Sequence, residues 1–421
     1  MNVTIHPKKL AGKLVMCPSK SLSHRAIIAA SLAKGKSIIS NVIISKDIEA
    51  TIKAMEVLGA KIEIKSDTLI IEGSEVKRLD KIIDAYESGS TLRFLIPIAL
   101  VNKEPITFVG HNNLVKRPLD SYLAIFDKLG IKYNMPNDSY LPLYLNGGLV
   151  STTYELAGNV SSQFITGLLF ALPLLNGDSK IIITTDLESK GYVDLTLDVL
   201  KLFGIKIKNN NYHEFIIPGN QTYQPLNYQV EGDYSQSAFF LVAGALGADI
   251  TILGMNLNSS QGDKKILEDI KSFGGNLIIE KDYLKCLASN TKGTTIDFSQ
   301  SPDLGPALTV LASLSTGKSN FINAERLRIK ECDRITCMKE ELTKMGAKIE
   351  EFKSGMKIEG VPKLQGAIVD SHNDHRVAMS LAMASLKTEG SIKIMNAECV
   401  SKSFPNFWEV FESLGGEIEY E

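Results

Sequence analysis

Arginine is scarce in this chain, and most arginines stand where helices are expected to begin. Only eight of the 46 basic residues are arginine. Three of them fall in the first turn of a stretch that is apolar nearly all round, and two open amphipathic stretches: Arg25, Arg93, Arg376, Arg117 and Arg334. A guanidinium is costly to bury there unless an oxyanion meets it, and its planar fork fits a phosphate or a carboxylate. This placement predicts a site for small polyanions.

Other polar residues gather at equivalent positions of the same helices. The free N–H groups and the positive dipole end of a helix start favour anions. If the helices of each domain point their N-termini the same way, these residues converge on one cleft between two domains. They are Lys20, Ser21, Ser88, Gly89, Ser90, Ser161, Ser162, Gln163, Ser189, Tyr192, Asp233, Ser235, Asp303, Lys330, Glu331, Asn373, Asp374, His375 and Lys402.

Single residues of this set also have structural interpretations. Serine and aspartate at a helix start are usually N-caps, which is the interpretation that we favour for Asp233 and Ser235. Lys330 and Glu331 could likewise be an ordinary exposed ion pair.

A module that recurs six times must position these residues. The copies end in an amphipathic stretch, a glycine and two alternating strands, although the terminus truncates the last copy after one alternating stretch. Their glycines are Gly59, Gly130, Gly204, Gly274, Gly346 and Gly415. Upstream of each amphipathic stretch lies an apolar stretch rich in small residues, which predicts a buried helix. Each module therefore predicts strand, buried helix, strand, amphipathic helix, strand, strand. Three modules plus three make two domains of about 200 residues each.

Composition and charge exclude several classes of function. The chain has 46 basic and 48 acidic residues and a net charge of −2, so neither nucleic acid nor an anionic membrane is expected as a partner. Five cysteines without a CxxC pair are typical of reduced thiols, and the expected location is the cytoplasm. His372 and His375 flank Asp374, but no third ligand stands near them, so neither a metal nor a cofactor is expected.

Ten short segments carry most of these polar residues in one order along nearly the whole chain. They are PSKSLSHRA (18–26), ESGSTLRF (87–94), VKRPLD (115–120), GNVSSQF (158–164), SKGYVD (189–194), EGDYSQSAFF (231–240), PDLGPAL (302–308), LRIKECDR (327–334), NDHR (373–376) and SKSFPNFW (401–408). In these segments the sequence resembles the EPSP synthase family of enolpyruvyl transferases. Each segment alone is a weak motif, whereas ten in register are specific.

The resemblance implies an α/β fold of two domains, each built of three βαβαββ modules. The buried helices would form the interior of an inside-out α/β barrel, and the ligands would bind in the cleft between the domains. The first strand would cross over, so that one domain comprises residues 19–230 and the other comprises residues 1–18 with 231–421.

The resemblance also implies an activity of the shikimate pathway of aromatic amino acid biosynthesis. The enolpyruvyl group of phosphoenolpyruvate would pass to the 5-hydroxyl of shikimate 3-phosphate by addition and elimination, with release of phosphate. Asp303 would act at the attacking hydroxyl and Glu331 at the methylene carbon, with Lys20 as a third catalytic residue. These two small molecules would be the only partners, and we expect a monomer.

The resemblance further implies which residues hold each substrate. Shikimate 3-phosphate would be held by Lys20, Ser21, Arg25, Ser161, Ser162, Gln163, Ser189, Tyr192, Asp303 and Lys330. Phosphoenolpyruvate would be held by Lys20, Gly89, Arg117, Gln163, Arg334, Arg376 and Lys402.

Two other functions fit the module count. An enolpyruvyl transferase acting on UDP-N-acetylglucosamine shares the module, but such enzymes commonly have a cysteine in the loop before their RP dipeptide, and HNNLVKRP (111–118) has none. A ring-shaped DNA clamp also repeats a strand-and-helix module six times. Its channel would be lined with scattered lysines on helix faces, whereas the cations of this slightly acidic chain gather at helix starts.

Overall fold

The computed structural model describes all residues, 1–421, and contains 26 strands and 12 α-helices. The strands are β1 (Val3–His6), β2 (Ala11–Val15), β3 (Gly35–Ser40), β4 (Lys61–Lys65), β5 (Thr68–Gly73), β6 (Ile82–Asp84), β7 (Ile106–Val109), β8 (Lys132–Asn134), β9 (Leu143–Asn146), β10 (Thr153–Leu156), β11 (Ser179–Ile183), β12 (Lys208–Asn210), β13 (Glu214–Ile217), β14 (Asn227–Gln229), β15 (Asp249–Leu253), β16 (Asn276–Ile279), β17 (Tyr283–Leu287), β18 (Thr295–Asp297), β19 (Lys318–Ile322), β20 (Lys348–Phe352), β21 (Gly355–Glu359), β22 (Leu364–Gln365), β23 (Ile368–Asp370), β24 (Thr388–Glu389), β25 (Ile392–Met395) and β26 (Glu417–Tyr420).

The α-helices alternate with these strands. They are α1 (Lys20–Leu32), α2 (Lys46–Val57), α3 (Gly89–Ala99), α4 (Asp120–Leu129), α5 (Ser162–Ala171), α6 (Lys190–Leu202), α7 (Tyr234–Ala245), α8 (Ile266–Ser272), α9 (Gly305–Ser313), α10 (Arg334–Lys344), α11 (His375–Ala384) and α12 (Phe407–Ser413). Short 3₁₀ helices cover Asn112–Lys116, Leu172–Leu174, Gly262–Lys265, Pro302–Leu304, Glu325–Ile329, Ser385–Lys387 and Ala397–Lys402. No helix is long and apolar enough to cross a lipid bilayer.

The chain divides into two compact units. One comprises Lys20–Val230, and the other comprises Met1–Ser19 together with Glu231–Glu421. Each unit has its own hydrophobic core. The first unit contains α1 to α6, and the second contains α7 to α12.

Six four-stranded sheets repeat one topology. In the sheet ordered β6-β7-β9-β8, the first pair is parallel and the other two pairs are antiparallel. The sheets β10-β11-β13-β12 and β18-β19-β21-β20 have the same order. The predicted βαβαββ module is therefore confirmed in these continuous stretches of chain.

The other three sheets recruit a strand from a distant part of the chain. β14 pairs in parallel with β3, and β2 pairs in parallel with β15. β1 lies between β25 and β26 and pairs antiparallel with both. The first residues of the chain thus complete two sheets of the unit that also contains Glu231–Glu421.

The buried helices lie inside each unit, as the apolar stretches predict. Every residue of α7 is buried, and α7, α9 and α11 pack against one another. The outer helices bury a single face: α10 buries Ile335, Met338 and Leu342 at helical spacing. Gly346 follows α10 with a φ of 88°, a left-handed conformation that ends the helix at little cost for glycine. All six module glycines have positive φ.

Candidate active site

Asp303 is the centre of a charge cluster in the unit that contains α7 to α12. It lies in the 3₁₀ helix Pro302–Leu304, directly before α9. Its Oδ1 accepts from Nη1 of Arg334 at 2.9 Å and lies 3.1 Å from Nζ of Lys330, and its Oδ2 accepts from Nη2 of Arg376 at 3.2 Å. Burial raises the pKa of Asp303, but the charges of the three cations outweigh burial and hold this pKa well below its usual range. Asp303 is therefore a carboxylate at neutral pH.

Arg334 ties this cluster together. Its side chain is only 1% exposed, and it opens α10 directly after the N-cap Asp333. Its Nη2 donates to Oε2 of Glu331 at 2.6 Å, and its Nε donates to Oδ2 of Asp374 at 2.7 Å. Burial lowers the pKa of Arg334, but Asp374, Glu331 and Asp303 raise it well above the ordinary value, so the guanidinium stays charged.

Lys330 and Glu331 do not form the ordinary exposed ion pair that was one interpretation of the sequence. Lys330 pairs with Asp303, while Glu331 accepts from Arg334. Burial lowers the pKa of Lys330, and the carboxylate of Asp303 opposes that effect. Both side chains belong to the cluster.

Arg376 and Lys402 are buried cations on two neighbouring elements. Arg376 lies in the first turn of α11, and its Nη1 also donates to the carbonyl of Asp303 at 3.4 Å. Lys402 ends the 3₁₀ helix Ala397–Lys402, and its Nζ donates to the carbonyl of Asn373 at 2.7 Å. α11 and this 3₁₀ helix pack against each other.

Arg117 lies against Gly89 in the other unit. A β-carbon on Gly89 would stand 2.6 Å from Nη1 of Arg117, so this helix start leaves room for the guanidinium only because the residue is glycine. Arg117 is buried, and its Nε has no hydrogen-bond partner. An unsatisfied buried donor favours an acceptor supplied by a ligand.

Hydrogen bonds at both the oxygen and the nitrogen of its amide orient the Gln163 side chain. Its Oε1 accepts from Nη1 of Arg93 at 2.8 Å, and its Nε2 donates to Oγ of Ser90 at 3.0 Å. Ser161 precedes it as the N-cap of α5, and Ser162 is the first residue of that helix. The sequence marked Arg93 as unusual without assigning it a role, and the structure shows that it positions Gln163.

Arg25 makes its hydrogen bonds to residues of its own unit. It is 2% exposed, and it donates to Oγ1 of Thr196 at 2.9 Å and to the carbonyls of Ser21 and Tyr192 at 2.8 and 2.9 Å. Burial lowers the pKa of Arg25 to about 10. Three of its five N–H groups are thereby used within the protein. Ser189, the residue before α6, has a φ of 54°.

Lys20 opens α1 and pairs with a carboxylate that the sequence analysis missed. Its Nζ lies 2.7 Å from Oδ2 of Asp47, the second residue of α2. On the next turn of α1, Nδ1 of the buried His24 lies 2.7 Å from Oγ1 of Thr51, which in turn lies 2.7 Å from Oγ1 of Thr91. Burial, followed by the charges of Lys20 and Arg25, lowers the pKa of His24 well below its ordinary value. No local pattern signals these contacts, because they join three different helices.

The N-cap interpretation of Asp233 and Ser235 is right for one residue and wrong for the other. Asp233 is the N-cap of α7, as expected, and accepts from the backbone N–H of Gln236 at 3.0 Å. Ser235 is not a cap. It lies inside α7, where its hydroxyl donates to the carboxylate of Asp263.

The surroundings of His372 also differ from the expectation that no third ligand is near. Donor atoms of Glu340, Glu341 and His372 lie within 4.8 Å of one another. The carboxylate of Glu341 accepts from Lys344 and from the backbone N–H of Asp370 as well as contacting His372, so this group is satisfied by hydrogen bonds of the protein itself.

Comparisons with known proteins agree with one another. Residues 5–411 match the family EPSP synthase (3-phosphoshikimate 1-carboxyvinyltransferase). The 3-phosphoshikimate 1-carboxyvinyltransferase of Clostridium perfringens (strain ATCC 13124) is 52% identical, and the match covers 100% of this chain and 99% of the relative. That of Clostridioides difficile (strain 630) is 51% identical, with 99% and 98% covered.

Solved structures also resemble the chain over its whole length. EPSP synthase from Acinetobacter baumannii is 27% identical with a TM-score of 0.80, and both chains are fully covered. The enolpyruvyl transferase NikO from Streptomyces tendae has a TM-score of 0.82 at 16% identity, covering 100% of this chain and 98% of that one, a likeness of fold alone.

Proposed function

Since the chain belongs to the EPSP synthase family, we propose that the charged helix starts described above divide between the two substrates of that reaction. The chain is a 3-phosphoshikimate 1-carboxyvinyltransferase: it transfers the enolpyruvyl group of phosphoenolpyruvate to the 5-hydroxyl of shikimate 3-phosphate and releases phosphate. The relatives carry this name, and the UDP-N-acetylglucosamine alternative is not favoured. The proposal concerns which residues do the work.

We assign the binding of phosphoenolpyruvate first to the cations around Asp303. Arg334 is held by three carboxylates and stays in place as a fixed charge. The hydrogen bonds of Arg376 to Asp303 are longer than that of Arg334 to Asp303, at 3.2 and 3.4 Å. Arg376 can therefore exchange them for a ligand oxygen at a lower cost in free energy. Lys402 adds a further cation on a neighbouring element. A doubly charged phosphate or a carboxylate would find bidentate donors here.

Arg117 supplies the second anchor of phosphoenolpyruvate in this assignment. Its buried Nε lacks a partner, and Gly89 leaves space at the start of α3, where the backbone N–H groups also favour an anion. Gln163 and Lys20 complete the set. The pairing of Gln163 with Arg93 and Ser90 fixes which end of its amide is the donor.

We assign shikimate 3-phosphate to the starts of α1, α5 and α6. These starts present Lys20, Ser21, Ser161, Ser162, Gln163, Ser189 and Tyr192. Hydroxyls and helix N–H groups suit the ring hydroxyls and the phosphate. Arg25 keeps two N–H groups beyond those used within the protein, which is the number that a bidentate contact with the phosphate needs. Asp303 and Lys330 would complete the set.

The reaction needs a group that takes a proton and a group that gives one. Addition protonates the methylene carbon while the 5-hydroxyl attacks, and elimination expels phosphate as a methyl proton is withdrawn. Asp303, whose pKa is held well below its usual range by its three cations, is ionised, and it becomes a stronger base for the hydroxyl proton when those cations turn to the anionic substrate. Glu331 is assigned to the methylene carbon, and Lys20 to charge stabilisation beside the reacting groups.

Asp303 among its three cations is the observation that carries this assignment, because it combines an ionised base with donors for an anionic substrate.

The five cysteines are free thiols, which supports extending the proposal to a reducing compartment such as the cytoplasm, and we propose that the enzyme acts as a monomer. Phosphate release from phosphoenolpyruvate tests the function. We expect release with shikimate 3-phosphate, and none with UDP-N-acetylglucosamine or without an acceptor. Release with UDP-N-acetylglucosamine alone would contradict it.

A further inference from the structure

Residues 371–374, which we call the 371–374 turn, join β23 to α11 and have an uncommon backbone. His372 has a φ of 50° and Asn373 has a φ of 55°, so two consecutive residues other than glycine lie in the left-handed region. Such residues rarely adopt that region, and a backbone of this kind persists only where the surrounding structure determines it. The contacts that hold this turn therefore decide where its carbonyls and side chains lie.

The second half of the 371–374 turn contacts cations of the site. The carbonyl of Asn373 accepts from Nζ of Lys402 at 2.7 Å. The carboxylate of Asp374 accepts from Nε of Arg334 at 2.7 Å, and it caps α11 by accepting from the backbone N–H of Arg376 at 2.8 Å. A shift of the turn would therefore displace three of the cations that we assign to phosphoenolpyruvate.

One buried carboxylate of α10 holds the first half of the turn. Glu341 is 1% exposed and lies about two helical turns beyond Arg334. Its Oε2 accepts from the backbone N–H of Asp370, the last residue of β23, at 3.0 Å. Its Oε1 lies 2.7 Å from Nε2 of His372. Glu341 thus bridges the end of the strand and the first left-handed residue of the turn.

The charge of Glu341 suits this bridge. Burial raises the pKa of Glu341, but hydrogen bonds from His372, from Lys344 and from the backbone N–H of Asp370 outweigh burial and hold this pKa below its ordinary value. An ionised carboxylate only accepts hydrogen bonds, so Nε2 of His372 carries the hydrogen and donates it. An amide in place of the carboxylate has a single oxygen, so it would present an N–H₂ group to one of the two donors of the turn.

We propose that Glu341 is a positioning residue of the phosphoenolpyruvate site, and that it acts by fixing the 371–374 turn. Its hydrogen bonds go to Asp370, His372 and Lys344, none of which is assigned to a substrate. It therefore reaches the cations of the site only through the backbone that it holds. The effect on phosphoenolpyruvate rests on the proposed function, whereas the effect of Glu341 on the turn does not.

Hydrogen exchange of the full-length protein without ligands tests the effect on the turn independently of activity. In Glu341→Gln, we expect peptides that span residues 368–376 to exchange about tenfold faster than in the wild type, because the turn loses one of its acceptors. Asp269→Asn is the matched control, since Asp269 is a buried carboxylate of α8 that pairs with Lys265. It should leave these peptides unchanged. Equal exchange in Glu341→Gln and the wild type would overturn the proposal.

Steady-state kinetics test the effect on the site. Glu341→Gln should raise the KM for phosphoenolpyruvate by about tenfold, the scale for losing one hydrogen bond to a charged group. The KM for shikimate 3-phosphate should stay within about threefold of the wild type, because Lys402, Arg334 and Arg376 are assigned to phosphoenolpyruvate alone. A merely structural role of Glu341 would not distinguish the two substrates. Equal changes of both KM values, or no change of either, would overturn the proposal.

A pair of variants at His372 covers the case in which Glu341→Gln does not fold. His372→Gln keeps an N–H donor for Glu341 and should retain the wild-type KM for phosphoenolpyruvate, whereas His372→Ala removes the donor and should raise this KM. Equal KM values in the two variants would count against the proposal. If wild-type protein releases no phosphate from phosphoenolpyruvate while Glu341→Gln still speeds exchange in the turn, then the proposed function has failed and the structural effect of Glu341 on the turn stands.

Discussion

A β-carbon placed on Gly89 would lie 2.6 Å from Nη1 of Arg117 and 2.9 Å from its Cζ. A side chain at the start of α3 would therefore displace the guanidinium from its present position, and glycine leaves it there. The helix itself does not require glycine, since the N-cap is Ser88 and the φ of Gly89 is not positive. In the proposed assignment, Gly89 acts through the position of Arg117.

Replacing Gly89 with alanine should consequently impair the binding of phosphoenolpyruvate more than the fold. Gly89→Ala should raise the KM for phosphoenolpyruvate by about tenfold, because Arg117 is pushed aside, and should change the free energy of unfolding by less than about 1 kcal/mol. Steady-state kinetics and urea unfolding measure both. In an Arg117→Ala background, Gly89→Ala should have no further effect on KM; independent, additive effects would show that Gly89 acts otherwise.

Arg117 itself should serve one substrate. Arg117→Ala should weaken the binding of phosphoenolpyruvate by about 2–4 kcal/mol, the scale for removing a charged partner, and leave the affinity for shikimate 3-phosphate nearly unchanged. Titration calorimetry with each ligand measures this. Arg78→Ala is the matched control, because Arg78 pairs with the exposed Glu104 away from any helix start. Equal losses for both ligands would refute the assignment.

The sequence predicted these arginines because a helix-start guanidinium needs an anion, but it could not tell which anion. Arg117 has a buried N–H without a partner. Arg334, by contrast, is met by Asp303, Glu331 and Asp374 of the protein itself. An arginine at a helix start can thus either keep a free N–H for a ligand or pair with carboxylates of the protein. Only the tertiary contacts show which of the two applies.

The fold was predictable where the information is local. The spacing of the module glycines and the apolar stretches predict the alternation of helices and strands, which the sheet order β6-β7-β9-β8 confirms. The partners of β1 were not predictable from patterning, because β25 and β26 lie almost the whole chain length away. The contact of His24 with Thr51 was missed because it joins side chains of two different helices, 27 residues apart.

Substitutions of Arg334 and of Arg376 should differ in how much they reduce folding stability and how much they reduce phosphoenolpyruvate affinity. Arg334→Met leaves buried carboxylates without their partner and should cost about 3–5 kcal/mol of folding stability. Arg376→Met should cost less stability and lose more affinity for phosphoenolpyruvate relative to that cost. Urea unfolding and calorimetry of the two variants provide the comparison. A loss of stability in Arg376→Met as large as that in Arg334→Met would contradict the division of roles.

His24 should make the protein sensitive to acid. Its pKa is lowered in the folded state, first by burial, so the unfolded chain takes up a proton on His24 below a pH of about 6.5 while the folded protein does not. The stability that depends on neutral His24 is therefore present above about pH 6.5 and is lost as the pH falls. Relative to His24→Gln, wild-type unfolding free energy should fall between about pH 7.5 and 5.5.

Urea unfolding across that range checks this prediction, with His213→Gln as the control because His213 is exposed. A difference between wild type and His24→Gln that stays constant with pH would show that His24 does not contribute in this way.

Asp303→Asn, followed by separate measurement of turnover and of binding, tests the central assignment most directly. Asparagine keeps the shape and removes the base, so turnover should fall by about 10²–10⁴-fold, the range for loss of a general acid or base. Asp269→Asn is the matched control, since Asp269 is a buried carboxylate that pairs with Lys265 outside the site. The account predicts that Asp303→Asn binds both substrates within about tenfold of the wild type while turnover collapses. Normal turnover at saturation together with lost binding of shikimate 3-phosphate would contradict it and make Asp303 an anchor.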